Sequence, residues 1–176
     1  MTASFVLQAL VRRRTLLVAA VVIAAGCGKS APPAAPKDFT RDTVCVLDGM
    51  TLADYPGPKG QIVYAQGEPD FFCDTMELVA IVLRPEQARP IAGVFTQDMA
   101  AADWNHPQGH WIDAKSAWYV IGGDLKGSMG PTFATFARAE DAQAFAGKHG
   151  GRVLRFDEIT PAMVSLDGGV LKDERM

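Results

Sequence analysis

Apolar positions in this chain follow two rhythms, and the change from one to the other marks out its elements. β-Branched and aromatic residues predict a strand over 61–65 (Gln61-Ile62-Val63-Tyr64-Ala65) and a short one over 70–73 (Asp70-Phe71-Phe72-Cys73). Asp74 then offers an N-cap oxygen, and Glu77 three residues on completes a capping box. Together they predict a helix over 75–83, stopped by Pro85. A further strand is expected over 91–97. The same order returns downstream: strands over 117–121 and 132–136, a helix over 140–148 and a closing strand over 152–156. That second helix carries Ala142, Phe145 and Ala146 on one face and ends at Gly150-Gly151, where a left-handed cap costs little.

Strand, strand, helix, strand used twice predicts an α+β fold of two small related ββαβ lobes, each laying one helix against its own strands. The first lobe is expected over 41–103 and the second over 104–166, with a loose tail over 167–176.

The first forty residues follow neither rhythm. Arg12-Arg13-Arg14 precede an apolar run from Leu16 to Ala25 that ends at Ala24-Ala25-Gly26-Cys27. A positive end, a short apolar stretch and small residues before a cysteine describe a bacterial lipoprotein signal peptide over 1–26. The run is shorter than the roughly 20 apolar residues a spanning helix needs. Processing before Cys27 would make that residue the lipid anchor, holding the protein to a membrane face. The arginines also weakly resemble a twin-arginine export signal. Lipid anchor and tether are expected over 27–40, where Ala31-Pro32-Pro33-Ala34-Ala35-Pro36 shows no apolar periodicity and reads as a stiff, extended spacer.

Composition narrows the function. The chain has 176 residues, 48% of them apolar and 21% charged, so it is globular and long enough for one domain or two small ones. A net charge of −3 and a pI near 5.6 leave no basic footprint for nucleic acid. There is no Gly-x-Ser-x-Gly elbow, His-Glu-x-x-His, phosphate loop or dinucleotide fingerprint, which disfavours an enzyme. The three cysteines include no Cys-x-x-Cys, which disfavours a thiol redox enzyme.

Candidate chemistry centres on sulfur. Cys45 and Met50 lie five residues apart across Gly49, a residue able to bend the chain so that both sulfurs face one point. Thiolate and thioether ligands select monovalent copper over hard cations. Met129 lies in Gly127-Ser128-Met129-Gly130-Pro131, a glycine-bracketed turn where no apolar face explains a methionine. Cys73 precedes the first helix, whose amides would favour a thiolate. Structural roles stand beside each of these: Cys45 and Cys73 as core thiols or as a disulfide in an exported chain, Met50 as a gap-filler. Met76 and Met99 read as core residues. His106 and His110 fall in the segment between the lobes beside tryptophans, and His149 reads as a cation at a helix end.

Several blocks are similar to the NosL family, the accessory lipoproteins of nitrous oxide reductase maturation. They are Asp48-Gly49-Met50-Thr51-Leu52-Ala53-Asp54-Tyr55-Pro56-Gly57-Pro58-Lys59-Gly60-Gln61-Ile62, Trp111-Ile112-Asp113-Ala114-Lys115-Ser116-Ala117-Trp118-Tyr119-Val120, Gly127-Ser128-Met129-Gly130-Pro131 and Gly150-Gly151-Arg152-Val153. The resemblance runs from about Cys45 to Ile159. It implies a periplasmic copper(I) chaperone, lipid-anchored, with nitrous oxide reductase and its membrane-associated maturation complex as partners, and a fold of two ββαβ lobes. The family pattern Cys-Gly-Met meets Asp48-Gly49-Met50 here, so the methionine carries over and the cysteine does not. Cys45, three residues earlier, takes its place if the loop turns at Asp48-Gly49. The expected metal ligands are Cys45 and Met50, with Met129 third and Cys73 or a histidine in reserve. The alternative function is a lipoprotein stapled by a Cys45–Cys73 disulfide, acting in structure or protein interaction without metal transfer.

Overall fold

The computed structural model describes residues 34–164. The expected signal, the expected lipid anchor Cys27 and the tail over 167–176 lie outside the described residues.

Strand β1 (Gly60–Tyr64) is the middle of the first ββαβ unit, with β2 (Asp70–Phe72) and β3 (Ile91–Gln97) antiparallel on its two sides. Helix α1 (Thr75–Val82) connects β2 to β3. A short strand β4 (Trp111–Asp113) adds to the outer side of β3, giving the order β2-β1-β3-β4. The second unit repeats the plan. Strand β5 (Trp118–Gly127) is flanked by β6 (Gly130–Phe136) and β7 (Arg152–Arg155), all antiparallel, with helix α2 (Ala139–His149) before the last strand. The α+β class and the doubled ββαβ order are therefore both present.

Two local features differ from the sequence reading. Trp111-Ile112-Asp113 pairs with Phe95, Thr96 and Gln97 instead of remaining a connection. Three residues between His110 and a turn are too few to show a period of two. Strand β5 also runs on past Ile121 to Gly127, with a register irregularity between Ile121 and Lys126. Gly122-Gly123 conceals that continuation, because glycine carries no strand signature.

The packing makes α1 a wedge rather than a cover for one sheet. Leu78 is buried with Ile62, Phe72, Val94 and Ala114 in the core against the first sheet. Its neighbour Val79 is buried among Ala117, Tyr119, Phe133, Leu154 and Ile159 of the second lobe. Each such side chain stabilises the fold by about 1.5–3 kcal/mol on burial. Helix α2 serves its own lobe as expected, setting Ala142, Phe145 and Ala146 against Val120, Ala134 and Phe136.

Buried threonines close the seam between the sheets. Thr135 Oγ1 donates to the Gln97 carbonyl at 2.7 Å and lies 3.0 Å from Thr96 Oγ1. Thr75 donates to the Phe133 carbonyl, and Thr132 donates to Asp74 Oδ1 at 2.7 Å. Polar groups placed in a dry interface need such partners, and the pairing fixes how the two sheets meet.

The segment entering the fold is fastened to the first sheet. Gln61, fully buried, accepts from the Lys37 amide and donates to the Lys37 carbonyl, both at 2.8 Å. Trp111 Nε1 donates to Asp38 at 2.8 Å, and the Phe39 ring meets the Trp111 ring edge-on.

Candidate metal centre

The loop that precedes β1 is a small hairpin. Val44 and Thr51 form a bridge, Leu52 N donates to Thr43 O at 3.0 Å, and Cys45 N donates to Met50 O at 2.8 Å. Its tip turns at Asp48-Gly49: Gly49 has φ of 76°, and Asp48 Oδ1 accepts from Met50 N at 2.9 Å. Aspartate and glycine produce such a turn because one caps the backbone and the other tolerates a left-handed φ. The hairpin is then pinned beside β2, where Val46 N donates to Phe71 O at 2.9 Å. That bond brings Cys45 next to the Phe71-Phe72-Cys73 run.

The two thiols meet above the first turn of α1. Cys45 is 2% exposed, Cys73 fully buried, and both are free. Glu77 Oε2 lies 3.4 Å from Cys45 Sγ and 3.3 Å from Cys73 Sγ, accepting from both. Asp48 Oδ2 reaches Cys73 Sγ from the solvent side at 3.9 Å, and Ser128 Oγ approaches it at 3.1 Å from the β5–β6 turn. One donor atom from each of Cys45, Asp48, Cys73 and Glu77 falls within 4.8 Å of the others, a spacing suited to a metal ion. Phe39, Leu52, Phe71 and Trp111 pack around the thiols.

Charge is unusually concentrated here. The hydrogen bond from Cys73 draws the Cys45 thiol down to about 6, against the opposing effect of burial. The same interaction, with burial, pushes Cys73 up, so of the two thiols Cys45 gives up its proton first. Burial, and then the charge on Cys45, raise Glu77 to about 7. Burial likewise raises Asp74, the N-cap of α1, to about 6. Its Oδ1 accepts from Met76 N at 2.7 Å, while its Oδ2 has no hydrogen-bond partner among the described residues. Beneath this cluster lies Lys59, fully buried, its ammonium lowered to about 8 by desolvation.

The remaining candidates take varied positions. Met50 is partly buried and packs on the cluster holding Cys45 and Cys73. Met129 is 52% exposed in the turn between β5 and β6, next to Ser128. His106 and His110 are exposed loop residues outside the four-residue group, and His149 pairs with Asp124 at 3.0 Å. Met76 and Met163 pack on the core of the second lobe and Met99 against Phe136 and its neighbours, as ordinary apolar residues.

The sequence pattern offers a capping box for Glu77 and a turn for Asp48, and assigns no separate role to Ser128 or Lys59. Glu77 follows Cys73 by four residues, the spacing that puts two side chains on one helix face. That spacing was the available signal. Ser128 and Lys59 arrive from distant parts of the chain and leave none.

The fold and centre define a class: a small two-lobed α+β protein with a shielded dithiol–carboxylate group spaced as a metal ion would need. The NosL family model matches residues 36–164. A copper-binding lipoprotein NosL from Stutzerimonas stutzeri is 45% identical over 146 residues, covering 79% of this chain and 75% of its own. That from Achromobacter cycloclastes is 37% identical over 159 residues, covering 86% and 82%. The crystal structure of the copper chaperone NosL from Shewanella denitrificans superposes with a TM-score of 0.69 at 36% identity, covering 75% of this chain and 99% of that one. The chain belongs to the NosL family.

Proposed function

We propose that this protein is a copper(I) chaperone of the bacterial periplasm, which supplies copper to nitrous oxide reductase while that enzyme's copper centres are assembled. The observation that carries the reading is the convergence of the Cys45 and Cys73 sulfurs with the Glu77 and Asp48 carboxylates within 4.8 Å. Relatives named as a copper-binding lipoprotein and a copper chaperone support it, and they accord with a carrier rather than an enzyme.

Copper is cargo in this scheme. Soft sulfur donors favour the monovalent ion, and Cys45, the thiol drawn down in pKa, is the first ligand. Cys73 is the second thiol, and the thioethers of Met50 and Met129 complete the set from the hairpin and from the β5–β6 turn. A thiol must lose its proton to bind, and Glu77, in contact with both sulfurs, stands where that proton leaves. Asp48 brings a carboxylate to the place where the family pattern has a cysteine, giving this chain a harder outer edge to its site.

Delivery proceeds by ligand exchange at the exposed side. Met129 there stands in water, and Val44, Val46 and Leu47 of the hairpin are also exposed, an apolar rim suited to contact with an acceptor. Anchored through lipid on Cys27, the carrier would work at the membrane face beside the maturation complex, where tethering raises its effective concentration.

The test is a copper(I) competition titration of the soluble domain beside Cys45→Ser and Met50→Leu. Weaker binding in both is the expected result, and unchanged affinity in both would reject the site. Transfer to copper-free reductase in the presence of the maturation complex tests the destination.

A further inference from the structure

We propose that Lys59 is the positioning residue of this centre: its buried ammonium holds the Cys73 main chain in place and supplies the positive charge that balances two thiolates around a singly charged ion. The assignment rests on the copper(I) reading above and adds a determinant of metal preference to it.

Lysine is among the residues least often fully buried, yet Lys59 has no exposed surface. Its three donors are all used, on the carbonyls of Tyr55 at 2.8 Å, Pro56 at 3.0 Å and Cys73 at 3.1 Å. Among the described residues no carboxylate bonds to it directly. The acidic groups whose charge acts on it are Cys73, Asp74, Glu77 and Cys45, which are members and immediate neighbours of the candidate metal centre. A desolvated cation is costly to maintain unless surrounding groups offset it. Here that offset comes from the cluster that would take the ion.

Two consequences follow from this placement. The bond to the Cys73 carbonyl links one thiol-bearing residue to the Tyr55-Pro56 segment, fixing the backbone from which that sulfur projects. Fixing ligand direction from outside the coordination sphere is what supporting residues do in metal sites. The second consequence concerns charge. Two thiolates with one monovalent ion carry a residual charge of −1, whereas two thiolates with a divalent ion carry none. An ammonium held beneath the sulfurs therefore favours the monovalent complex more than the divalent one.

The test compares copper(I) and zinc(II) affinities, each by competition titration at pH 7, for the full-length protein in detergent and its Lys59→Met and Lys59→Arg variants. Lys59→Met is expected to bind copper(I) about 10–100-fold more weakly with a smaller loss for zinc(II), while Lys59→Arg keeps the wild-type ratio of the two. Unchanged copper(I) affinity in Lys59→Met, or equal losses for both ions, would overturn the assignment and leave a purely architectural lysine. Should Lys59→Met not fold, the wild-type protein labelled with ¹⁵N-lysine answers the question. The Lys59 Nζ resonance should shift on adding one equivalent of copper(I), and a resonance that stays in place overturns the proposal. A wild-type protein that takes up no copper(I) removes the functional reading and this assignment together, a result distinct from failure of Lys59 alone.

Discussion

Glu77 turns its carboxylate back onto the thiol of Cys73 four residues earlier, with 3.3 Å between Oε2 and Sγ, and the same oxygen accepts from Cys45. One helical turn thus joins an acid to two sulfurs that come from separate parts of the chain.

That acid makes the stability of the metal-free protein depend on pH in an uncommon direction. Glu77 is raised from 4.5 to about 7 and Asp74 from 3.8 to about 6. In both cases the unfolded chain loses its proton first, so it binds fewer protons across the window and folding stability falls as pH rises. Between about pH 4.5 and 6 the loss should reach roughly 2 kcal/mol, and Glu77→Gln should remove about half of it. Urea unfolding at several pH values within that window measures the slope. A flat profile in the wild-type protein would contradict the buried carboxylates.

Met129 offers a separation of binding from folding. Its side chain is largely in water, so Met129→Leu should change unfolding free energy by no more than about 0.5 kcal/mol. Copper(I) affinity should nevertheless fall about tenfold, because leucine offers no donor atom. Chemical denaturation and chelator competition on one preparation check both halves.

Gly127 is required by the seam between α1 and the β5–β6 turn. A Cβ there would lie 2.2 Å from Asp74 Oδ2 and 2.8 Å from Thr132 Cβ. Gly127→Ala should cost about 1–3 kcal/mol and displace the neighbouring Ser128 from Cys73. Thermal unfolding reads the first effect, and faster alkylation of Cys73 in the folded protein reads the second.

Phe39 shields the thiols from the amino-terminal side. Phe39→Ala should destabilise the fold by about 3 kcal/mol and speed alkylation of both Cys45 and Cys73, followed by mass spectrometry. Protection that is unaltered in the variant would place the shield elsewhere.

Much of the architecture was legible because it is local. The alternation at Ile62 to Tyr64, the Asp74 cap and the Gly150-Gly151 stop are each properties of a few adjacent residues, and they recover both ββαβ units. The turn at Asp48-Gly49 was readable for the same reason. What escaped was assembled over distance. Lys59 reaches Cys73, Ser128 crosses from the other lobe, and Leu78 and Val79 divide one helix between two cores, none of which a periodic pattern encodes. Glu77 lay between the two cases: its i, i+4 relation to Cys73 was visible, but a capping box explained the same letters more simply. Its side chain faces the sulfurs, and the cap is made by Asp74 alone.

The strap formed by Lys37, Asp38 and Phe39 has a mechanical consequence. Gln61 clasps it by the backbone, Trp111 holds it by a side chain, and Phe39 ends among the residues that wall in the two sulfurs. With the lipid anchor proposed above in place, a pull on the strap would reach the chamber wall through the Gln61 clasp and the Trp111 contact. Tension from the anchor and the looseness of the cargo would then be two readings of one joint.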